Sequence, residues 1–219
     1  MSEQKVTNNT GSIGNAPKKG INTHNIIHEL SHKVCYYNGS ITHLSCDAIV
    51  NAANGHLWAG AGVCGAIFRA AEPWGSNKTV TSQCKKILKQ SQNGRIQTGN
   101  TVVTGSGQLS GKIHFILHSV GPTNNDDSKL KKCYQTSLDL CIQYNIRSIA
   151  FPCISTGVFG FNNKDACEVA LKRVRKWLMD AKQTKFNKNM LHNNCIKNGK
   201  NMIQIKRNNN NKIETLYDR

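Results

Sequence analysis

Residues 47–69 read DAIVNAANGHLWAGAGVCGAIFR, and the fold follows from the way this stretch changes character. Ala48, Ile49 and Val50 form a short apolar run of the kind that makes a buried strand. The run turns polar at Asn51-Ala52-Ala53-Asn54. A loop with glycine at 60, 62 and 65 comes next, and an apolar-rich helix is expected from about Val63 to Glu72. A strand that passes through a glycine-rich loop into a helix start builds an anion site. Glycines let the backbone come close, and unpaired N–H groups with the helix dipole face the ligand.

One such loop is a weak signal, because many glycine loops only turn the chain. Residues 147–161, RSIAFPCISTGVFGF, repeat the logic. An apolar strand (Ile149 to Phe151) leads into Ser155-Thr156-Gly157-Val158-Phe159-Gly160 and then into a helix. Two such loops in one domain can clamp a diphosphate from both sides.

The remaining elements alternate. Lys33 to Tyr37 reads as a first strand, followed by a turn at Asn38-Gly39. An amphipathic helix is expected over Asn77 to Gln92, with Val80, Cys84, Ile87 and Leu88 inward. Short strands are expected at Thr101–Thr104 and Ile113–Leu117. A long helix starts at Asp126-Asp127, whose charge suits a helix N-terminus. Arg147 to Phe151 is the next strand, and a last clear helix covers about Asn163 to Asp180. Strands alternating with helices argue for an α/β chain in three layers, α/β/α.

Four motifs, in order, carry a resemblance to a known family: DAIVNAAN at 47–54, GAGVCGAI at 60–67, HSVGP at 118–122 and PCISTGVFGF at 152–161. Together they resemble the macro domains, which bind ADP-ribose, over about Lys33 to Asp180. The resemblance implies a three-layer sandwich around a mixed central sheet. It also implies ADP-ribose or ADP-ribosylated proteins as partners, with no cofactor and no metal. Asp47 or Ser40 would lie near the adenine; the family usually carries aspartate where Ser40 stands. Asp47, Ile49, Asn51 and Ala53 would line the first strand's side of the site. Gly60, Ala61, Gly62, Val63 and Gly65 would wrap one side of the diphosphate and distal ribose. Ser155, Thr156, Gly157, Val158, Phe159 and Gly160 would wrap the other.

Asn54 and Cys64 are the candidate catalytic residues under this resemblance. An amide both donates and accepts, which suits a sugar diol. One branch of the family has aspartate at the position of Cys64 to help activate water, histidine at Phe68 and glycine at Ala61. Viral members with a similar cysteine loop, alphavirus macro domains among them, remove ADP-ribose, and in them the substrate's own phosphate is thought to orient water. A thiol acting as a covalent nucleophile needs a base or a lowered pKa, and the sequence around Cys64 supplies neither. Three functions stand side by side: a hydrolase of ADP-ribosyl esters (mono-ADP-ribosylated acidic residues or O-acetyl-ADP-ribose), a non-catalytic reader of ADP-ribose, and a nucleic-acid binder.

The ends differ from the middle. Residues 1–32 are polar and read as a disordered lead. Within them His28-Glu29-Leu30-Ser31-His32 fits the H-E-x-x-H zinc pattern, but no third ligand is signalled and it is discounted. Residues 33–180 are the expected macro domain. Residues 181–219 hold ten asparagines and nine Lys/Arg against two Asp/Glu. They read as a degenerate or disordered basic tail, such as a truncated reading frame leaves, with Met202-Ile203-Gln204-Ile205 as the only strand-like stretch. The whole chain carries a net charge of +17, which suits polyanions; the nucleic-acid alternative is non-specific binding through the basic tail. The nine cysteines, with no Cys-x-x-Cys pair, read as reduced thiols in small core positions. With no signal peptide and no membrane-spanning run, the expected setting is cytoplasmic or nuclear, as a monomer without membrane contact.

Overall fold

A computed structural model describes residues 33–109, 111, 113–183, 194–199 and 202–207. Residues 1–32, expected to be a disordered lead, and their H-E-x-x-H segment lie outside the described residues. The strands are β1 (Cys35–Tyr36), β2 (Ala48–Ala53), β3 (Thr101–Gly105), β4 (Phe115–Val120), β5 (Ile149–Pro152), β6 (Asn194–Gly199) and β7 (Met202–Arg207). The helices are α1 (Gly62–Ala71), α2 (Thr79–Gln90), α3 (Asp127–Gln143) and α4 (Asn163–Gln183).

Among the described residues the sheet order is β1-β6-β7-β5-β2-β4-β3. β2 runs parallel to both β4 and β5, while β3 and β7 pair antiparallel at either side. The sheet is therefore mixed, as expected.

The layering follows from period-2 alternation along buried strands. Ala48 and Val50 of β2, Leu117 of β4, and Ile149 and Phe151 of β5 pack with α3 and α4. Ile49, Ala53, Ile116, Val120 and Ala150 face the other way and pack with α1 and α2. Each helix presents an apolar stripe, Leu130, Cys133, Tyr134, Leu138 and Cys141 on α3 for example. Asp126 caps α3, its carboxylate accepting from Lys129 N at 3.0 Å.

Three expectations change. β4 begins later than expected and runs through His118 and Ser119, both buried. Their polarity hides a strand, and hydrogen bonds compensate it: Thr101 Oγ1 donates to Ser119 Oγ at 3.0 Å. Second, the tail expected to be degenerate or disordered contributes two strands. β7 pairs with β5 from Ile149↔Ile205 to Pro152↔Met202, and β6 pairs with β7. The surrounding asparagines mask this alternation, and only Met202–Ile205 signals it. Third, Cys46, Cys64, Cys84, Cys133, Cys141, Cys153 and Cys167 carry reduced thiols, but Cys35 is disulfide-bonded.

Candidate active site

Because β2, β4 and β5 are parallel, the segments that follow them leave from one edge of the sheet. Ligand crevices in α/β sheets form outside the carboxyl ends of such strands. The first glycine loop follows β2 and the second follows β5, its neighbour. The two loops thus flank one crevice.

The first loop ends at α1. Ala61 is its N-cap and makes no side-chain cap bond, and no acidic residue stands in the first turn. The first-turn N–H groups are left for another acceptor, at the positive end of the helix dipole. Gly62 takes a φ of +61°, and a Cβ there would meet nothing within 4 Å, so open space surrounds the helix start. Val63 is half-buried and Gly65 buried. A Cβ on Gly65 would overlap the carbonyl oxygen of Gly60, so this glycine is what lets the loop lie against the helix.

The second loop is closed by its own backbone. Phe161 N donates to Ser155 O at 2.9 Å, and Gly160 N to Gly157 O at 2.9 Å. Thr156 Oγ1 donates to Cys153 O at 3.0 Å. Gly157 and Val158 are exposed and Phe159 is half-buried. Ser155 holds a φ of +68°, a left-handed conformation uncommon for a residue with a side chain. Its Oγ is buried without a hydrogen-bond partner among protein atoms. Gly121, in the HSVGP motif, makes room for it: a Cβ at 121 would overlap that oxygen.

Asn54 and Cys64 meet at the first loop. Asn54 Oδ1 accepts from His56 N at 3.1 Å and from Trp58 N at 3.3 Å, while its Nδ2 donates to Trp58 O at 3.0 Å. The amide is thus locked by its own loop, with one N–H hydrogen left over. Cys64 is buried and accepts from Gly60 N at 3.4 Å while donating to Trp58 O at 3.5 Å. Beneath them, Asn51 Nδ2 donates to Cys64 Sγ at 3.5 Å and to His118 Nδ1 at 3.1 Å. Asn51 Oδ1 is buried and has no protein partner. His118 stacks at a tilt on Phe68, with centroids 5.9 Å apart. Burial pushes its pKa down to about 4, and burial with the nearby Glu72 charge pushes Cys84, 3.9 Å from His118 Nε2, up to about 12. His118 is therefore a neutral hydrogen-bonding group at ordinary pH.

Two expected site residues are not brought here. Asp47 precedes β2, at the opposite end of a six-residue strand, about 20 Å from the loops at ordinary strand rise. Its carboxylate accepts from Arg147 N at 2.6 Å and Ser148 N at 2.9 Å, tying β2 to β5. Ile49 is fully buried in the core, and both neighbouring strands pair with it. Ala53 has a core side chain but stands at the crevice end of β2. Ser40, the other adenine candidate, is exposed and shares a hydrogen bond with Thr42 Oγ1 at 2.8 Å. His118 itself was not singled out by sequence; the sign available was a polar pair inside an otherwise apolar strand. Among the described residues no three His, Cys, Asp or Glu cluster in a way that could hold a metal ion.

Comparison with known proteins agrees with this geometry. The macro domain family model matches residues 50–170. Mouse ADP-ribose glycohydrolase MACROD1 is 42% identical over 156 residues, covering 68% of this chain and 44% of that protein. The chain therefore spans less than half of that relative's length. The O-acetyl-ADP-ribose deacetylase of Salmonella gallinarum is 43% identical over 145 residues, covering 64% of this chain and 76% of that one. Among solved structures, the Trypanosoma brucei macrodomain in complex with ADP-ribose superposes with a TM-score of 0.59 at 37% identity, over 66% of this chain and 57% of that one. The Oceanobacillus iheyensis macrodomain with ADP gives 0.60 at 36% identity, over 65% and 75%.

Proposed function

This chain belongs to the macro domain family, and from that premise we propose that it binds ADP-ribose and hydrolyses ADP-ribosyl esters. The substrates would be mono-ADP-ribosylated acidic side chains or O-acetyl-ADP-ribose. One observation supports this most: two glycine loops leave adjacent parallel strands at the same edge, one of them ending in a helix start with no side-chain cap. That arrangement offers backbone donors to a diphosphate from two sides.

The chemistry adds water across an ester and releases ADP-ribose and a carboxylate. Its requirements are a fixed distal ribose and an aimed water. The leftover N–H hydrogen of Asn54 is free to bond a ribose hydroxyl. The two positions that carry aspartate and histidine in one branch of the family hold Cys64, which is buried among hydrogen bonds, and Phe68. Rate enhancement then rests on positioning and on backbone donors facing developing charge, with the substrate's own phosphate orienting the water. The loss of that aspartate and histidine favours the reader as the rival. A cytoplasmic or nuclear setting and a monomeric state belong to the same proposal.

The test is release of ADP-ribose from a glutamate-linked mono-ADP-ribosylated protein, with Asn54→Ala alongside. Release that falls at least tenfold in the variant supports hydrolysis at this site. Tight binding without release makes the protein a reader and removes the catalytic half of the proposal.

A further inference from the structure

His56 and Trp58 form a stacked pair on the lip of the first loop, with ring centroids 5.0 Å apart and planes at 26°. Trp58 is 69% exposed. The pair is built by the chain rather than left over. Leu57, between the two rings, is buried and holds a φ of 54°, a conformation that leucine adopts rarely. It plugs into the core while its neighbours face outward. Asn54 fixes the backbone of both aromatic residues.

A cation lies against the same lip. Ile96 N donates to Gly55 O at 2.8 Å, which joins the segment holding Arg95 to the loop. A Cβ on Gly55 would come within 2.8 Å of Arg95 Nε, so the arginine side chain lies across this glycine. Arg95 is exposed and follows α2, which carries exposed Lys85, Lys86 and Lys89. From Pro73 to Asn125 the sequence has no Asp or Glu, against Lys78, Lys85, Lys86, Lys89, Arg95 and Lys112.

We propose that this lip docks single-stranded nucleic acid, with a base stacked on Trp58 and phosphates neutralised by Arg95 and the α2 lysines. An open aromatic face beside a run of cations is the combination that binds single strands without reading sequence. Arg95 adds cation–π and phosphate contacts. A duplex keeps its bases paired inside the stack and offers none to the indole. A protein partner fits less well, since a protein interface needs an apolar centre. Here the indole is flanked by His56, Ala59 and Gly60. The surface is distinct from residues 181–219, and it goes beyond the ester hydrolysis proposed above.

The probe is a short fluorescein-labelled oligothymidylate, titrated into the full-length protein and followed by anisotropy at several salt concentrations. The single strand should bind more tightly than a duplex of the same length. Trp58→Ala should weaken binding about 5- to 150-fold, the range expected for losing one stacked base. Trp58→Phe should retain most of the affinity and Trp58→Leu should not, a contrast that packing alone would not produce. Arg95→Ala should reduce the salt slope by about 0.7, one single-strand phosphate contact. The inference is overturned if the oligonucleotide does not bind at low salt, or if the duplex binds as well. Equal affinity for Trp58→Ala, with melting unchanged, overturns it too. So does an acidic, tyrosine-rich peptide that binds through Trp58 where the oligonucleotide does not.

Discussion

Asn51 of β2 and His118 of β4 are register partners in the sheet, and Asn51 Nδ2 donates to His118 Nδ1 across 3.1 Å. This bond settles the tautomer. With Nδ1 accepting, the proton sits on Nε2, which donates to Thr104 Oγ1 at 2.9 Å, and that hydroxyl donates to Gly105 O at 2.9 Å. The second hydrogen of Asn51 Nδ2 goes to Cys64. The amide orientation is thus fixed from below, and the loop that carries Asn54 rests on a set of neutral, buried hydrogen bonds.

Replacing His118 with phenylalanine keeps the bulk but leaves one hydrogen of Asn51 Nδ2 and one acceptor site of Thr104 unmatched. Leaving buried polar groups unsatisfied costs about 1–3 kcal/mol. His118→Phe should lower unfolding free energy by that amount in urea titrations. A change under about 0.5 kcal/mol would show that the imidazole is not holding the strand pair.

The same histidine gives a pH signature. Its folded pKa is about 4 because of burial, while the unfolded chain titrates near the ordinary value of about 6.5. Between these values the unfolded state binds a proton that the folded state refuses. Stability is therefore full above pH ~6.5 and is lost as pH falls toward ~4, by about 3 kcal/mol in all. Chemical denaturation across this window should show that loss in the wild type and a smaller one in His118→Phe. Parallel curves would contradict the assignment.

Gly121 and Ser155 should be coupled. A Cβ at 121 runs into Ser155 Oγ, so Gly121→Ala is expected to destabilise by about 1–3 kcal/mol, as overpacking does. Ser155→Gly removes the clashing oxygen and the unfavourable positive φ but leaves Ile154 Cγ2 at 2.8 Å from a Cβ at 121, so the double variant should recover part of the loss. A double-mutant cycle with an interaction energy below about 0.5 kcal/mol would mean that the two loops do not press on each other.

Cys64 is buried and shares its sulfur among Gly60 N, Trp58 O and Asn51 Nδ2, an arrangement for packing rather than attack. Cys64→Ala should keep ester hydrolysis within about tenfold of wild type. A loss of 10³-fold or more, the scale of removing a nucleophile, would restore the thiol to the chemistry.

The sequence carried much of this architecture in plain view. Apolar runs at Ala48–Val50 and Ile149–Phe151, each running into glycines, are strong local signals, and the helices lie within three residues of their expected limits. What it concealed has a common physical origin in long-range pairing. Nothing local distinguishes Asp47, which precedes a strand and bonds the backbone of residues 147 and 148, from an aspartate that faces a ligand. His118 looks out of place in a strand until Asn51 and Thr104 are brought beside it. The strands at 194–199 and 202–207 sit among asparagines, and their partners β5 and β1 lie far away in sequence.

A side chain placed at Gly157 tests whether the two glycine loops enclose the ligand. A Cβ at 157 meets nothing within 4 Å, and no positive φ constrains the position. A bulky residue there should leave the fold intact and fill only the space meant for the ligand. Titration calorimetry with ADP-ribose on the wild type and on Gly157→Trp is the measurement, with melting curves as the check on folding. Heat of binding is expected for the wild type and none for the variant at the same melting temperature. Equal affinity in a variant that melts like the wild type would contradict it.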